Sequence, residues 1–567
     1  MKAPNILDLK TWNILIKNAM TSSNSSVLND KSITGSGMRI FYGQFTATAW
    51  LVILIGFLLR LWVCLHTVIV NPDGLLYIHQ AMSLYYRDWS SLKTCGLTFI
   101  SSYPLMIAGG YAVLHNWILS ARLISLFFGT ALLIPLYRIL KNLTRDNFAV
   151  LSLLVVAVTP VMVSNSVELV RDPIGWFFMS AGVWAVIHPA ATDTSRKWLL
   201  LTASICFLVA AWARIEAVLY IGVTLLYLAF GASDRKLSHV FAFLSPIAII
   251  LLLSAGGLMI SRVSFSDLYR GHDLIPNLIG PVIQYRELTT ALKNLQWSSS
   301  WQTMKFFLPE ARNAIWLIAF GVVLNRFLEA FFYPYVLLYI AGVSGILQRC
   351  RSDARLIYLL LLVGAGLTLM YMHTLQTWML YYRFLGIVII PGAVFCAFGI
   401  EKLSGILSRH VTMRSSTAFW IVFLVILGIS LPKNIKAPDP DKVVFRQIGH
   451  AIYQNHRGIS NTGHIPVATS CHTQRIISFY ANLQVPGLIP CPLDTSNCWE
   501  SFPDDPEQFY TLLRQRHIRY VLWEQRSWPS HRFSFTEPSL SGKYTRIGEW
   551  FQADTGKMIL YGVVPSN

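Results

Sequence analysis

The chain has 567 residues, of which 54% are hydrophobic and only 13% are charged, and its mean hydropathy is +0.49. These values exclude an ordinary soluble protein, and repeated apolar runs long enough to cross about 30 Å of hydrocarbon indicate a polytopic α-helical membrane protein. The net charge of +18 does not point to nucleic acid, because Lys and Arg collect in short loops between the apolar runs. The positive-inside rule places such loops in the cytoplasm.

The N-terminal part of the chain predicts a leader, a span and a long outer loop. Residues 1–43 lack the short apolar stretch and the small-residue cleavage site of a signal peptide, so we expect a polar cytoplasmic leader. A first span follows over about 45–70. Residues 71–117 then form a polar and aromatic loop on the outer side, long enough for two short interfacial helices.

Further apolar runs alternate with basic loops across 44–432, which we interpret as the transmembrane module. A second long outer loop covers 262–330. Between 311 and 348 the sequence permits one span or two; a single span over about 331–347 keeps the basic stretch "QRCRSDAR" inside, and leaves about 314–328 as an interfacial or re-entrant helix. The module then holds about eleven transmembrane helices.

The last part of the chain, residues 433–567, has a soluble composition and predicts a small α/β domain on the outer face. "IPVATS", "IRYVLWE" and "MILYGVV" are typical of short buried strands, and "PEQFYTLLRQR" of a helix. Cys471, Cys491 and Cys498 lie here, and Cys95 lies in the first outer loop, so disulfides are permitted. We expect the pair Cys491–Cys498.

Charged residues gather at the outer ends of the predicted spans. They are Asp73, Glu168, Arg171, Asp172, Arg214, Glu216, His373 and Arg383. A charge at the bilayer centre costs about 2.5–3.5 kcal/mol, so charges near a span usually face a cavity or a partner. Structural roles stay open: Asp172 before Pro173 suits a helix N-terminus, Asp73 in "NPDG" suits a turn, and Arg214 with Glu216 favours an ion pair.

Five segments, in this order and with this topology, resemble the GT-C membrane glycosyltransferases. The likeness is to the polyprenyl-phosphate-sugar-dependent group that includes protein O-mannosyltransferases and the aminoarabinose transferase of lipid A, and it covers most of residues 45–432. The segments are "PDGLLYIHQAM", "YPLMIAGGYAVLHNWILSARLISLFFGTALLIPLYRIL", "TPVMVSNSVELVRDPIGWFF", "AWARIEAVLY" and "YYRFLGIVIIP". The resemblance implies a GT-C-like fold with a terminal outer α/β domain.

The resemblance also implies roles for particular residues. Asp73 matches the first-loop acid of the family, the general base, and either Glu168 or Asp172 matches the second acid. Arg383 matches the arginine of the late span, which we expect to hold the donor phosphate. Many members carry two adjacent acids in the first loop, whereas Gly74 follows Asp73 here; no cofactor is therefore expected, although a divalent metal is not excluded.

Other outer-side residues could contact the substrates. Additional cations for the donor phosphate are Lys93, Arg286 and His373, and additional substrate contacts are Tyr77, Tyr103, Arg171 and Tyr382. The tyrosines fit sugar stacking and fit an interfacial aromatic belt equally well.

The function that follows is inverting transfer of a sugar from a polyprenyl-phosphate donor to an acceptor hydroxyl of a lipid, glycan or protein. It would take place on the extracytoplasmic face of a bacterial inner or plasma membrane. An oligosaccharyltransferase or glycan ligase on the same face is the nearest alternative. A secondary transporter, with charges near the midplane and inverted repeats, and a non-catalytic scaffold are more distant ones.

Overall fold

A computed structural model describes residues 46–93, 95, 99–230, 235–261, 271–298, 300–410, 414–436, 440–457, 463–485, 487, 491 and 497–564. The predicted leader, residues 1–43, lies outside these ranges. The chain divides into two compact units. The first comprises Met1–Leu61, Leu126–Val167 and Arg171–Ile435, and the second Trp62–Ser125, Glu168–Val170 and Lys436–Asn567.

Helices make up most of the described chain. In chain order they are α1 (Ala47–His66), α2 (Pro72–Tyr85), α3 (Ser102–Leu114), α4 (Trp117–Ala131), α5 (Leu133–Leu143), α6 (Asp146–Val158), α7 (Pro160–Asn165), α8 (Asp172–Ile187), α9 (Asp193–Ala213), α10 (Val218–Phe230), α11 (Lys236–Ser261), α12 (Gly271–Ser298), α13 (Gln302–Asn313), α14 (Ile315–Ala330), α15 (Tyr333–Arg349), α16 (Ala354–Thr377), α17 (Gly386–His410), α18 (Ser415–Ile435), α19 (Val443–Arg457), α20 (Gln474–Asn482) and α21 (Pro506–Gln515). Residues 71–117, which we predict to lie on the outer side, contain the two short helices α2 and α3.

Seven helical stretches of the described chain are long and apolar enough to cross a membrane, or eight if α13 and α14, bent by 74°, form one span. The chain is therefore a multi-pass membrane protein, but the predicted count of about eleven is not confirmed. Apolar segments such as α6 and α8 end before they reach 18 residues. Within 311–348 the helices are α14 and α15; α15 has 17 residues and is not among these seven stretches, so the prediction of a single span there stays a prediction.

A proline break separates α6 from α7 in the first unit. Thr159 is extended, with ψ of 122°, and Pro160 opens the next helix, so the last carbonyls of α6 need donors from elsewhere. The fully buried Arg60 donates from Nη1 to the carbonyl of Ala157 at 2.9 Å. Asn434 Nδ2 donates to the carbonyl of Val158 at 2.8 Å. Two polar side chains thus stabilise the break.

The C-terminal part of the second unit contains a four-stranded sheet in the order β1-β2-β4-β3, as the predicted small α/β domain requires. The strands are β1 (Val467–Ala468), β2 (Tyr520–Glu524), β3 (Tyr544–Gln552) and β4 (Gly556–Val563). Strands β1 and β2 are parallel, and the other pairs are antiparallel. Tyr520 and Leu522 pack into one hydrophobic cluster and Val521 into another, because successive side chains of a strand point to opposite faces. Strand β3 was not predicted.

The disulfide prediction was wrong. The second unit contains the disulfides Cys95–Cys491 and Cys471–Cys498, with Cα–Cα distances of 5.5 and 4.9 Å. Cys498 forms an isolated bridge with Thr469, just after β1, and this pairing brings it beside Cys471. Cys491 bonds instead to a residue 396 positions away. Proximity of this kind depends on the fold and not on local cysteine spacing.

Candidate active site

The acid of the first outer loop lies at the start of α2 in the second unit. Pro72 and Asp73 occupy the first turn of the helix, where proline is well tolerated and a carboxylate interacts favourably with the helix dipole. Asn71 Oδ1 accepts a hydrogen bond from the Leu169 N–H at 3.2 Å. The start of α2 is thereby held against the segment that carries Glu168.

Gly74 shows how close this approach is. A Cβ atom at this position would lie 2.5 Å from the Cβ of Leu169 and 2.7 Å from Oδ1 of Asn71. The chain therefore has no room for a second acid directly after Asp73, which accounts for the departure from the family pattern. Asp73 and Glu168 are both partly exposed, so substrate could reach their carboxylates.

The tyrosines predicted to contact sugar in this unit pack instead against each other. The rings of Tyr77 and Tyr103 meet edge to face at 5.4 Å, and both residues are buried. The Tyr103 hydroxyl donates to the carbonyl of Ala121 at 3.0 Å. Burial favours a packing role over sugar stacking. Lys93 ends a short 3₁₀ helix, and its side chain lies outside the described residues.

Asp172, the alternative second acid, is committed to an ion pair within the first unit. Its carboxylate accepts a hydrogen bond from Nη1 of Arg214, and the side chains of the two residues are 3% and 4% exposed. The same guanidinium binds Glu216 through Nη2 at 2.6 Å and Nε at 3.1 Å. The structural ion pair favoured by the sequence is therefore present, and it includes Asp172.

The segment from 166 to 171 is not helical, so Glu168 and Asp172 do not share a helical face. Asp172 is 2% exposed, whereas Glu168 is partly exposed. These differences favour Glu168 as the second acid.

Three basic side chains of the first unit lie around the ring of Phe384. The Arg214 guanidinium lies 4.5 Å and the Arg383 guanidinium 5.5 Å from the centre of its ring. The His373 imidazole meets the same ring edge to face at 5.3 Å. His373 on α16 and Arg383 just before α17 are thus both close to the same ring. We call Phe384, Arg214, Arg383 and His373 the Phe384 cluster.

The remaining predicted residues of the first unit lie around this cluster or apart from it. Arg171 is partly exposed and interacts electrostatically with Glu216. Tyr382 is 37% exposed and its hydroxyl accepts a hydrogen bond from Arg326. Arg286 is exposed on α12.

Sequence reasoning did not identify Asn71, Phe384 or Arg326 as parts of these arrangements. For Phe384 a signal existed, because it continues the aromatic run "YYRF" in which Arg383 lies. Asn71 and Arg326 form hydrogen bonds with residues that are 98 and 56 positions away in the chain, respectively. No local pattern reports such contacts.

One group of the described residues has metal-ligand spacing: Cys471, Cys498 and Glu500. The two cysteines form a disulfide, and a disulfide sulfur is not a thiolate ligand. Asp73, Glu168 and Asp172 belong to no such group within the described part of the chain.

Comparisons with known proteins agree with this fold. The family model "Dolichyl-phosphate-mannose-protein mannosyltransferase" matches residues 102–259. The oligosaccharyltransferase of Archaeoglobus fulgidus, solved with Zn and sulfate, is 12% identical with a TM-score of 0.54, over 90% of this chain and 72% of that one. ArnT of Cupriavidus metallidurans, bound to undecaprenyl phosphate, is 10% identical with a TM-score of 0.46, over 92% of this chain and 99% of that one. No curated protein matches the chain significantly.

The long apolar helices, the small sheet domain, the family-model match and the similarity to the Archaeoglobus fulgidus structure lead to one conclusion. The chain has the fold of the GT-C membrane glycosyltransferases, and its residues 102–259 match the family model of the dolichyl-phosphate-mannose-protein mannosyltransferases.

Proposed function

We propose that the protein is an inverting glycosyltransferase that moves a sugar from a polyprenyl-phosphate donor to an acceptor hydroxyl on the extracytoplasmic face. One observation carries the proposal: in a chain with a GT-C fold, the start of α2 holds Asp73 against the segment of Glu168. The matching family model is named for transfer from dolichyl-phosphate mannose, which is a polyprenyl-phosphate sugar.

The reaction must activate a neutral hydroxyl. As the acceptor oxygen bonds to the anomeric carbon, its proton passes to the Asp73 carboxylate, and such general-base catalysis contributes about 10²–10⁴-fold. Glu168 orients the acceptor or Asp73 itself. A single attack opposite the leaving group inverts the anomeric carbon and needs no covalent sugar–enzyme intermediate.

The reaction must also stabilise the departing lipid phosphate. The bond between the anomeric carbon and the phosphate oxygen breaks, and its electron pair stays on the phosphate. Arg383 is suited to this charge because a guanidinium offers paired donors to phosphate oxygens. Within the Phe384 cluster we assign this role to Arg383, the residue that the resemblance implies, and not to Arg214, which forms ion pairs with Asp172 and Glu216; His373 and Arg171 are further contacts.

An oligosaccharyltransferase-like reaction is the second candidate, favoured by the fold similarity to the Archaeoglobus fulgidus enzyme. That enzyme has been solved tethered to an acceptor peptide with an NVT sequon, at 12% identity and a TM-score of 0.52. The two candidates differ in the acceptor atom. It is a hydroxyl oxygen in the first candidate and the side-chain amide nitrogen of the sequon asparagine in the second.

The test is a transfer assay with purified protein, a panel of polyprenyl-phosphate sugars, and hydroxyl or sequon-peptide acceptors. We expect one donor to be consumed with a hydroxyl acceptor, and the product to have the opposite anomeric configuration by NMR. Arg383→Ala should lose turnover and Arg351→Ala, an exposed arginine of the same unit, should not. Retention of configuration, or transfer to the peptide alone, would contradict the proposal.

A further inference from the structure

A pocket lined by both apolar and charged residues lies at the other end of α8 from Asp172. It occupies about 500 Å³ where α8 ends and α9 begins, and its wall includes His188, Asp193, Arg196, Tyr227, His239 and Arg355. Helix α8 has 16 residues and therefore separates its two ends by about 24 Å. The pocket lies in the first unit, beside loops whose basic character predicts a cytoplasmic location.

Arg196 is fixed in the pocket wall. Its Nη1 donates to the carbonyl of Val186 at 2.7 Å and to that of His188 at 3.3 Å, at the C-terminal end of α8. Burial, together with the charges of Arg138 and Arg196, lowers the pKa of His188. A guanidinium already held in place loses little side-chain freedom on binding an anion.

The acid in the wall is already neutralised. Asp193 accepts from Lys197 at 2.8 Å, Arg235 at 2.9 Å and His239 at 3.0 Å. Arg355 pairs with Asp353 at 2.6 Å. Among the lining residues, Arg196 and Arg355 are positively charged and Asp193 is negatively charged, which leaves an excess of one positive charge. The ion-pair partners that do not line the pocket are Lys197, Arg235 and Asp353, and they add one further positive charge beside it. The pocket therefore favours an anion.

The helices beside the pocket expose apolar side chains. Trp198 on α9 is 65% exposed, and on α11 Leu237 and Phe241 are 75% and 69% exposed. These residues lie within two positions of Arg196 and His239, which line the pocket. Exposed apolar side chains on membrane-spanning helices face lipid, and tryptophan favours the headgroup level. Basic pockets between transmembrane helices on the cytoplasmic side suit anionic lipid headgroups.

We propose that this pocket binds the phosphate group of an anionic membrane lipid. Its volume is within the about 300–1,000 Å³ typical of small-molecule sites, and Arg196 supplies the fixed cation that a phosphate prefers. The proposal does not rest on the proposed function, because it concerns a different end of the first unit and a ligand that is not consumed.

The experiment compares four proteins in nanodiscs of phosphatidylcholine with and without phosphatidylglycerol. They are the wild type, Arg196→Gln, Ala190→Phe, which fills the pocket and keeps every charge, and the control Arg351→Gln, which removes an exposed cation outside the wall. Thermal unfolding and lipid retention in native mass spectrometry are measured. A further arm adds inorganic phosphate or glycerol 3-phosphate to the protein in detergent.

We expect phosphatidylglycerol to stabilise the wild type and Arg351→Gln against thermal unfolding. Compared with the wild type, Arg196→Gln and Ala190→Phe should retain about fivefold less of this lipid. Arg196 also donates hydrogen bonds to the end of α8, so Arg196→Gln could unfold. In that case lipid retention by Ala190→Phe, which keeps these hydrogen bonds, tests the proposal. Equal stabilisation of all four proteins, or of none, overturns the proposal. If inorganic phosphate or glycerol 3-phosphate stabilises the protein against thermal unfolding as much as the lipid does, the lipid assignment is overturned.

Discussion

Replacing Asp172 by Asn tests whether this acid is structural, as its geometry indicates. The substitution keeps the shape of the side chain and one acceptor oxygen but removes the charge that faces Arg214. Both side chains are at least 96% buried, so solvent screens the pair little. Removing one partner of a buried pair costs about 3–5 kcal/mol, and a hydrogen bond to a charged group contributes about 1.5–3 kcal/mol.

Two features lower the expected cost. Glu216 remains bound to Arg214 through two hydrogen bonds, and the Asn oxygen can still accept one from Arg214. We therefore expect Asp172→Asn to reduce the free energy of unfolding by about 2 kcal/mol. At a temperature where the variant is folded, its turnover should fall by less than about tenfold. Glu168→Gln should show the reverse pattern, with a larger effect on turnover than on the free energy of unfolding.

The assay combines thermal unfolding in detergent, followed by tryptophan fluorescence, with initial rates of sugar transfer. A double-mutant cycle with Arg214→Met measures the coupling of the pair, for which about 0.5–3 kcal/mol is expected. Wild-type stability of Asp172→Asn with a turnover loss above about 100-fold would refute the reasoning and make Asp172 the second acid.

Three further predictions test the second unit. Gly74→Ala should lower kcat more than it raises KM, because the added methyl has no room and displaces Asp73; an unchanged kcat would contradict this packing. Burial raises the pKa of Glu524, so the stability it contributes is present at low pH and is lost as pH rises through the folded-state pKa. The free energy of unfolding should therefore decrease as pH rises across this range in the wild type, and should decrease less in Glu524→Gln. In Cys491→Ser the thiol of Cys95 should react with an alkylating reagent in the unfolded, unreduced protein, whereas Cys498 should stay protected; labelling of Cys498 in peptide mapping would overturn the disulfide pairing.

The sequence predicted the features that depend on composition and local pattern. Apolar runs and basic loops identified a multi-pass membrane protein, and strands such as β2 followed from short apolar segments next to turn residues. The helix N-terminus at Asp172 was also visible, because Pro173 follows it directly.

The features that it missed depend on residues far apart in the chain. The partner of Asp172 is 42 positions away, and that of Cys491 is 396 positions away, so neither leaves a local signal. The predicted span count is not confirmed, in part because the break at Pro160 shortens an apolar run that composition alone treats as continuous.

The central claim is that Asp73 takes the proton of the acceptor hydroxyl. Its most direct test is single-turnover release of polyprenyl phosphate by the wild type, Asp73→Asn and the control Asp88→Asn, whose carboxylate is bound to Ser90 and Ser91 in the same unit. We expect a rate about 10²–10⁴-fold lower for Asp73→Asn and a rate near that of the wild type for Asp88→Asn. A folded Asp73→Asn protein that releases the lipid phosphate as fast as the wild type would contradict the claim.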